Sequence, residues 1–400
     1  MRVLVAMPFS PVPPDFGGAL RVYHILKQLT LRYEVTVVSY GTPEDAARIR
    51  SEFDLGDVHV VTPTWLSRNR RLGQLYSTFS RRSFFHLSVT NRAFAQPLQA
   101  MLSREKFDVF HTEYSHLGPF NLNTDALRIL DTHNVEYDNF RRMWKKSRWG
   151  LKKLHYGLES VKLKGDELDL CRFQHGILTT SERDKKLFDS EIPDVPKYVV
   201  PNGVDPRFFS PSDAPPEPHS LVFTGAMCYQ PNQDGINWFL AEVMPRLLQR
   251  LPDTKLYVVG KDPPAQITCR ASNNVVVTGF VQDVRPYVYK ATAYVVPLRM
   301  GGGTRLKVAE ALSMKKAIVS TRVGCEGIEV VNGESVIFAD NPEAFVEGII
   351  RVLGDGALQR HLQENGYKLM KEKYDWSVIG KSLERAYEDV AYRRKMAPGI

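Results

Sequence analysis

Cysteine and long apolar runs are scarce in this chain. Its 400 residues hold four cysteines, Cys171, Cys228, Cys269 and Cys325, widely dispersed and without a C-x-x-C pair or a histidine cluster beside them. That spacing suggests neither a disulfide framework nor a zinc site, and the four read as small apolar side chains. No stretch reads as a membrane span, and the run Met1-Arg2-Val3-Leu4-Val5-Ala6-Met7-Pro8 is too short for a signal peptide. It reads as a first strand, and a cytoplasmic location is expected. The chain also lacks any Asp-x-Asp pair, so a catalytic divalent metal is not indicated. No complete G-x-G-x-x-G opens the first strand-to-helix turn, which weighs against a nicotinamide enzyme.

What is present is an ordinary globular composition, 43% hydrophobic and 24% charged, which excludes disorder and a membrane-embedded chain. Four hundred residues exceed what one core organises, so two domains are expected. The net charge of +8 favours an anionic partner: a nucleoside diphosphate, an acidic lipid surface or nucleic acid. Charge alone does not choose among them.

The first half alternates short β-branched runs with longer helical patterns. Strands are predicted at 2–6, 34–39, 58–61, 108–111, 128–131 and 176–180, and helices near 19–29, 92–102, 137–144, 151–170 and 182–188. After the turn signals of Val200-Pro201-Asn202-Gly203-Val204-Asp205 and a proline-rich linker at 210–216 the pattern restarts, with strands at 221–224, 255–259, 275–278, 293–296, 317–320 and 336–338. This grammar predicts two doubly wound α/β domains with mainly parallel sheets, at 1–205 and 206–375, and an amphipathic helix in 376–400 packing back on the first.

The densest chemistry lies at Gly301-Gly302-Gly303-Thr304-Arg305-Leu306-Lys307-Val308-Ala309-Glu310, after the apolar run Ala293-Tyr294-Val295-Val296-Pro297. Glycines let backbone N–H groups approach an anion, and the following helix adds its positive dipole end. Arg305 and Lys307 can neutralise a diphosphate, and Glu310 can accept hydrogen bonds from ribose hydroxyls. Such a turn is also a routine strand-to-helix connection, with its charges on solvated helix surface.

Together with Phe16-Gly17-Gly18-Ala19-Leu20-Arg21-Val22, Asp131-Thr132-His133-Asn134-Val135-Glu136, the Val200 to Asp205 turn, Leu221-Val222-Phe223-Thr224-Gly225-Ala226-Met227 and Pro231-Asn232, this motif resembles the GT-B glycosyltransferases. The likeness is to family 4, in its exopolysaccharide-type branch. It implies two Rossmann-like domains facing each other across a cleft, and transfer of a sugar from a UDP- or GDP-linked donor to a hydroxyl with retention of configuration. The acceptor would be a glycan, a lipid-linked sugar or a small molecule; nucleic acid is not an expected partner, and no cofactor or metal is required. Carried over by residue, donor binding falls to Gly17, Gly18, Gly225, Gly301, Gly302, Gly303, Thr304, Arg305, Lys307 and Glu310, and catalysis to His133, Arg305 and Lys307. Gly17 and Gly18 would form a loop near the donor phosphates, and His111 is a second histidine candidate. A lone histidine also serves structural roles.

Two departures from the family pattern stand out. Gly302 occupies the position of the first of two glutamates normally separated by seven intervening residues, and 225–232 lacks the usual Arg and Lys. Arg305 and Lys307 are expected to supply that charge. A GT-B fold also serves nucleotide-sugar epimerases, and a non-catalytic nucleotide-sugar scaffold is compatible with the Gly302 departure. Finally, Arg68, Arg70, Arg71, Arg81 and Arg82 surround Leu72, Leu75, Tyr76 and Phe79, and a second basic cluster runs from Arg141 through Trp144, Lys145, Lys146, Arg148 and Trp149 to Lys153. Cations interleaved with aromatics suit the anionic inner face of a membrane, and equally a solvated helix surface.

Overall fold

A computed structural model describes residues 1–62, 69–89, 92–117, 122–147 and 149–396. Two compact units divide the chain: Met1–Pro201 with Gly380–Ile400, and Asn202–Ile379.

The first unit contains β1 Arg2–Met7, α1 Gly17–Thr30, β2 Glu34–Tyr40, α2 Pro43–Glu52, β3 Asp57–Val61, α3 Arg70–Phe79, α4 Phe84–Val89, α5 Arg92–Arg104 and β4 Val109–Glu113. It continues through β5 Leu127–Asp131, α6 Glu136–Lys146, α7 Leu151–Arg172, β6 Gly176–Thr179, α8 Glu182–Glu191 and β7 Lys197–Val199. The seven strands pair in parallel in the order β3-β2-β1-β4-β5-β6-β7. Covered on both faces, the inner strands are continuous apolar runs rather than alternating ones; Val3, Leu4, Val5, Ala6 and Met7 are all fully buried. The end of β4 breaks that rule, because His111, Thr112 and Glu113 are buried as well.

Helix α7 is held by acids that face inward. Glu159 accepts from the Ser77 hydroxyl (2.7 Å) and the Phe84 N–H (2.9 Å), Asp166 from the Ser83 N–H (2.8 Å), and Glu167 from the N–H groups of Glu136 (3.4 Å) and Tyr137 (3.2 Å). These carboxylates satisfy orphan donors at the starts of α4 and α6. Burial, with Glu136 close by, pushes Glu167 up to about 8.

The second unit contains β8 Glu217–Thr224, α9 Gln230–Trp238, α10 Met244–Arg250, β9 Lys255–Val259, α11 Ala265–Thr268, β10 Val275–Gly279, α12 Arg285–Lys290 and β11 Ala291–Val296. Then follow α13 Leu306–Ser313, β12 Ala317–Ser320, β13 Ile337–Phe338, α14 Pro342–Gly354, α15 Gly356–Leu369 and α16 Trp376–Met396. Its six strands are parallel in the order β10-β9-β8-β11-β12-β13. The expected doubly wound sheets are therefore present in both units. From Gly380 onward α16 belongs to the first unit, where Asp389 accepts from the Tyr198 hydroxyl (2.5 Å) and Tyr387 stacks on Tyr33.

Elements the sequence patterns did not predict are β7 and helices α2, α3 and α4. Strand β7 is three residues long and follows Pro196, too short for a periodicity. Helix α2 did carry a start signal: Thr42 and Asp45 form a reciprocal capping box with Pro43 in the first turn. Helix α3 breaks the usual pattern because its apolar stripe faces outward.

Candidate functional site

In both sheets the strand order reverses beside the first strand of the unit, between β1 and β4 and between β8 and β11. Open α/β sheets bind ligands at the carboxyl ends of strands flanking such a reversal. The sequence-expected residues gather at these two places.

At the second unit's reversal, β8 ends at Thr224 and is followed by Gly225, and the glycine turn follows β11. Gly301 (φ 108°) and Gly303 (φ 78°) occupy left-handed backbone, which a side chain would strain. Arg305 precedes α13 and folds back into the turn. Its Nε donates to the Val323 carbonyl (3.1 Å), its Nη1 to the Gly302 carbonyl (3.0 Å), and Nη2 lies 3.8 Å from the Glu326 carboxylate. Its side chain is only 5% exposed, so the guanidinium shapes the turn. Lys307 extends under Gly225, where its Nζ donates to the Thr224 carbonyl (2.7 Å) and Asn232 Oδ1 (2.9 Å) and lies 4.1 Å from the centre of the Phe223 ring. A Cβ on Gly225 would fall 2.6 Å from that ammonium, so the glycine makes room for it.

Glu310 sits one turn into α13, half-buried, and its carboxylate makes no hydrogen bond or ion pair with the described residues. Burial raises its carboxyl to about 7, against the pull of Lys307. Burial, reinforced by Arg305, lowers Lys307 to about 7, against the pull of Glu310. The buried Thr304 hydroxyl has no hydrogen-bond partner among the described residues. One turn thus holds an unpaired carboxylate, an ammonium with depressed proton affinity and a buried hydroxyl without a partner among the described residues. Such a set suits an anion carrying hydroxyl groups.

At the first unit's reversal, Gly17 and Gly18 are not a loop: they open α1, after Phe16 in extended backbone. A Cβ on Gly18 would lie 1.9 Å from the Tyr114 hydroxyl oxygen, so close approach of that ring requires this glycine. Arg21, fully buried on the inner face of α1, clamps Asp131 at the end of β5 through Nε (2.9 Å) and Nη2 (2.8 Å) and also donates to the Pro201 carbonyl (3.2 Å). His133 follows with φ 55°, its N–H on Asp131 (3.3 Å) and its ring stacked on Tyr114 at 3.7 Å. Glu113 joins the two candidate histidines, with Oε1 3.1 Å from His111 Nε2 and Oε2 2.5 Å from His133 Nε2. Burial pushes Glu113 up, but the hydrogen bonds to the two histidines outweigh it and hold the carboxyl below the ordinary range.

His111, Glu113 and Asp131 place ligand atoms within 4.8 Å of one another. Each of these groups already has protein partners in Tyr387, His133 and Arg21, which a metal ion would have to displace. Arg21, Glu113, Tyr114 and Tyr387 carry no expected role in the sequence. A visible signal existed: a charged residue inside the apolar stripe of α1, and a His-x-Glu pair on one face of a buried strand.

A third feature lies apart from both turns. Among the described residues, 11 of the 22 exposed large hydrophobic side chains fall on α3, α6, α7 and the turn before α7. Helix α3 is inverted: Leu72, Leu75, Tyr76 and Phe79 face outward, Phe79 at 87% exposure, while Ser77 is buried. Trp149, Leu151, Leu154, Leu158 and Val161 continue the apolar surface. A groove of about 1000 Å³ opens between α6 and α7, lined by Trp144, Leu154, Leu158 and Val161 with Arg141 and Lys164 on its wall. Arg68 and Arg148 lie outside the described residues, as do the side chains of Arg70, Arg71 and Lys146. Among the described residues no helix is long and apolar enough to cross a membrane.

Residues 218–355, most of the second unit, match the family model described as glycosyl transferases group 1. Over 96% of its length the chain is 22% identical to an uncharacterized 44.6 kDa protein in the cps region of Klebsiella pneumoniae, covering 98% of that protein. It is 26% identical to phosphatidyl-myo-inositol mannosyltransferase of Mycobacterium tuberculosis over 48% of this chain and 54% of that one. Among solved structures, sucrose-phosphate synthase of Thermosynechococcus elongatus superposes with a TM-score of 0.70 at 15% identity, over 98% of this chain and 100% of that one. Anabaena Alr3699/HepE in complex with UDP gives 0.64 at 14% identity, over 97% and 100%. The fold is GT-B, and the matched stretch carries the group 1 glycosyl transferase pattern.

Proposed function

We propose that the protein is a glycosyltransferase that moves a sugar from a nucleoside-diphosphate donor to a hydroxyl acceptor with retention of configuration. The observation carrying this reading is the open Glu310 carboxylate beside Lys307 at the strand reversal of the matched unit. Glu310 accepts from the ribose hydroxyls. The N–H groups of the glycine turn, the start of α13 and Lys307 face the diphosphate, whose negative charge grows as the glycosidic bond breaks. Arg305 acts through the turn it shapes, and Gly302 leaves the donor sugar's contacts to backbone groups. His133 is the catalytic candidate of the first unit, and no step calls for a metal. The solved relative holding UDP favours a uridine donor, and the cps-region relative favours a surface-polysaccharide acceptor.

The acceptor is lipid-linked in this reading, and the protein is peripheral on the inner face of a membrane. The outward stripe of α3 and the groove of α6 and α7, with Arg141 and Lys164 on its wall and Lys145, Lys152 and Lys153 on the same two helices, support that placement. Flotation with vesicles containing anionic lipid should carry the protein at low salt, and Leu75→Glu with Phe79→Glu should abolish it; no flotation removes the membrane from the proposal.

The donor reading is tested by a thermal-shift screen of nucleoside diphosphates and their sugars, followed by product analysis. One diphosphate should raise the melting temperature, and its sugar should be consumed only as an acceptor grows. Rearranged or released sugar without acceptor growth indicates an epimerase or hydrolase, and binding without turnover indicates a scaffold.

A further inference from the structure

Helix α16 reaches the first unit's strand reversal through one buried contact: the Tyr387 hydroxyl lies 2.7 Å from His111 Nδ1. His111 Nε2 then meets Glu113 Oε1, and Glu113 Oε2 meets His133 Nε2. Tyr387, His111 and Glu113 are at most 1% exposed, and His133 is 4% exposed.

The proton positions along this chain follow from chemistry. An ionised carboxylate only accepts, so both Nε2 atoms donate to Glu113. With Nε2 carrying the proton toward Glu113, Nδ1 is the acceptor of the His111 ring and the Tyr387 hydroxyl donates to it. Burial and the nearby charge of Glu113 raise Tyr387 far above its ordinary value and keep it a phenol, in agreement with that role. At the other end His133 has its Nε2 occupied, one ring face covered by Tyr114 and its backbone fixed in the left-handed region. Its Nδ1 makes no hydrogen bond with the described residues and is the ring's open position.

We propose that Glu113 is the positioning residue for His133, and that Tyr387 of the last helix, acting through His111, holds Glu113 in place. Glu113 pins the Nε2 proton so that His133 presents Nδ1, and a buried anion behind the ring balances positive charge when Nδ1 takes a proton. The arrangement parallels the carboxylate behind the histidine of a hydrolase triad, with the two ring nitrogens exchanged. The charged and titratable groups facing it are Arg21 on α1, Asp131 on β5, Tyr114 after β4 and Glu136 on α6. This inference rests on His133 acting at the sugar.

The test is NMR of the full chain labelled with 15N-histidine, combined with kinetics on whichever nucleotide sugar turns over. Wild-type protein should show hydrogen-bonded, slowly exchanging Nε2 protons on His111 and His133. Glu113→Gln should speed exchange at His133 about tenfold, and Tyr387→Phe should speed it by a few-fold while altering the His111 tautomer. The same variants should lower kcat, by about 100-fold and a few-fold respectively, with the donor KM and diphosphate affinity unchanged. A structural role alone would instead lower the melting temperature without dividing kcat from KM. An unmoved His133 resonance in either variant overturns the proposal; if Glu113→Gln does not fold, Tyr387→Phe decides alone. Should no nucleotide sugar turn over, the functional reading fails, while the resonances still decide the hydrogen-bond chain.

Discussion

The two strand reversals solve opposite problems. Among the described residues of the first unit, the groups of this network are matched to one another: Arg21 to Asp131, and the His111 and His133 rings to Glu113. In the second, Glu310 stands open, Lys307 leans on a backbone carbonyl and an amide oxygen, and the Thr304 hydroxyl has no partner among the described residues. A matched buried network is rigid before any ligand arrives, whereas an unmatched set is costly until one does. On the proposed function, the contrast is between a cluster that holds its groups still and one completed by its ligand.

Breaking the matched side should cost most. Arg21→Met leaves Asp131 buried without its cation and should destabilise the protein by about 3–5 kcal/mol, read as a lower denaturant midpoint. On the unmatched side, Lys307→Met should leave the fold intact and weaken the best nucleoside diphosphate by about 2 kcal/mol, roughly 30-fold, by calorimetry. If stability falls more than affinity, Lys307 is a structural lysine and the contrast collapses. Gly18→Ala should cost about 2 kcal/mol by driving the Tyr114 ring away, and Tyr114→Phe, which removes the hydroxyl it meets, should return part of that loss. Additive losses would show that Gly18 serves something other than close packing.

Smaller effects come from protons. Glu310 stands near 7 in the folded chain against a reference of 4.5, so the folded state binds the extra proton. Its contribution is complete below about 4.5 and lost as pH rises through about 7. Glu310→Gln should therefore raise stability at pH 8, by about 1 kcal/mol after discounting for its partial exposure, while weakening diphosphate binding. Lys307 is lowered to about 7, so an arriving diphosphate should draw a proton onto it. Binding should weaken as pH rises through 7, and heats measured in two buffers of different ionisation enthalpy should reveal proton uptake. Equal heats would mean that Lys307 does not meet the anion.

Much of the second site was legible because its residues are contiguous. A strand, a glycine turn and a helix carrying Lys307 and Glu310 can be read in one pass. The turning inward of Arg305 could not, since it depends on the Val323 and Glu326 backbone and side-chain positions eighteen or more residues away. The first site was legible at His133, as a possibility at His111, and at Gly17 and Gly18, which were expected in a loop and instead open α1. Glu113 lies two residues past the predicted strand 108–111 and carried no expectation, and nothing near Tyr387 in sequence suggests a histidine 276 residues distant. Helix α3 was missed for a related reason: its apolar stripe is helical in period but not buried.

By itself the sequence determined the parallel sheets, their approximate strands and the chemical character of the glycine turn, because apolar runs, turn residues and contiguous motifs act locally. Tertiary structure alone decided which charges are matched. Arg21 finds Asp131, and Tyr387 finds His111, only because parallel strands and the last helix bring distant segments to one buried edge, where a charge or hydroxyl without a partner would be too costly to keep.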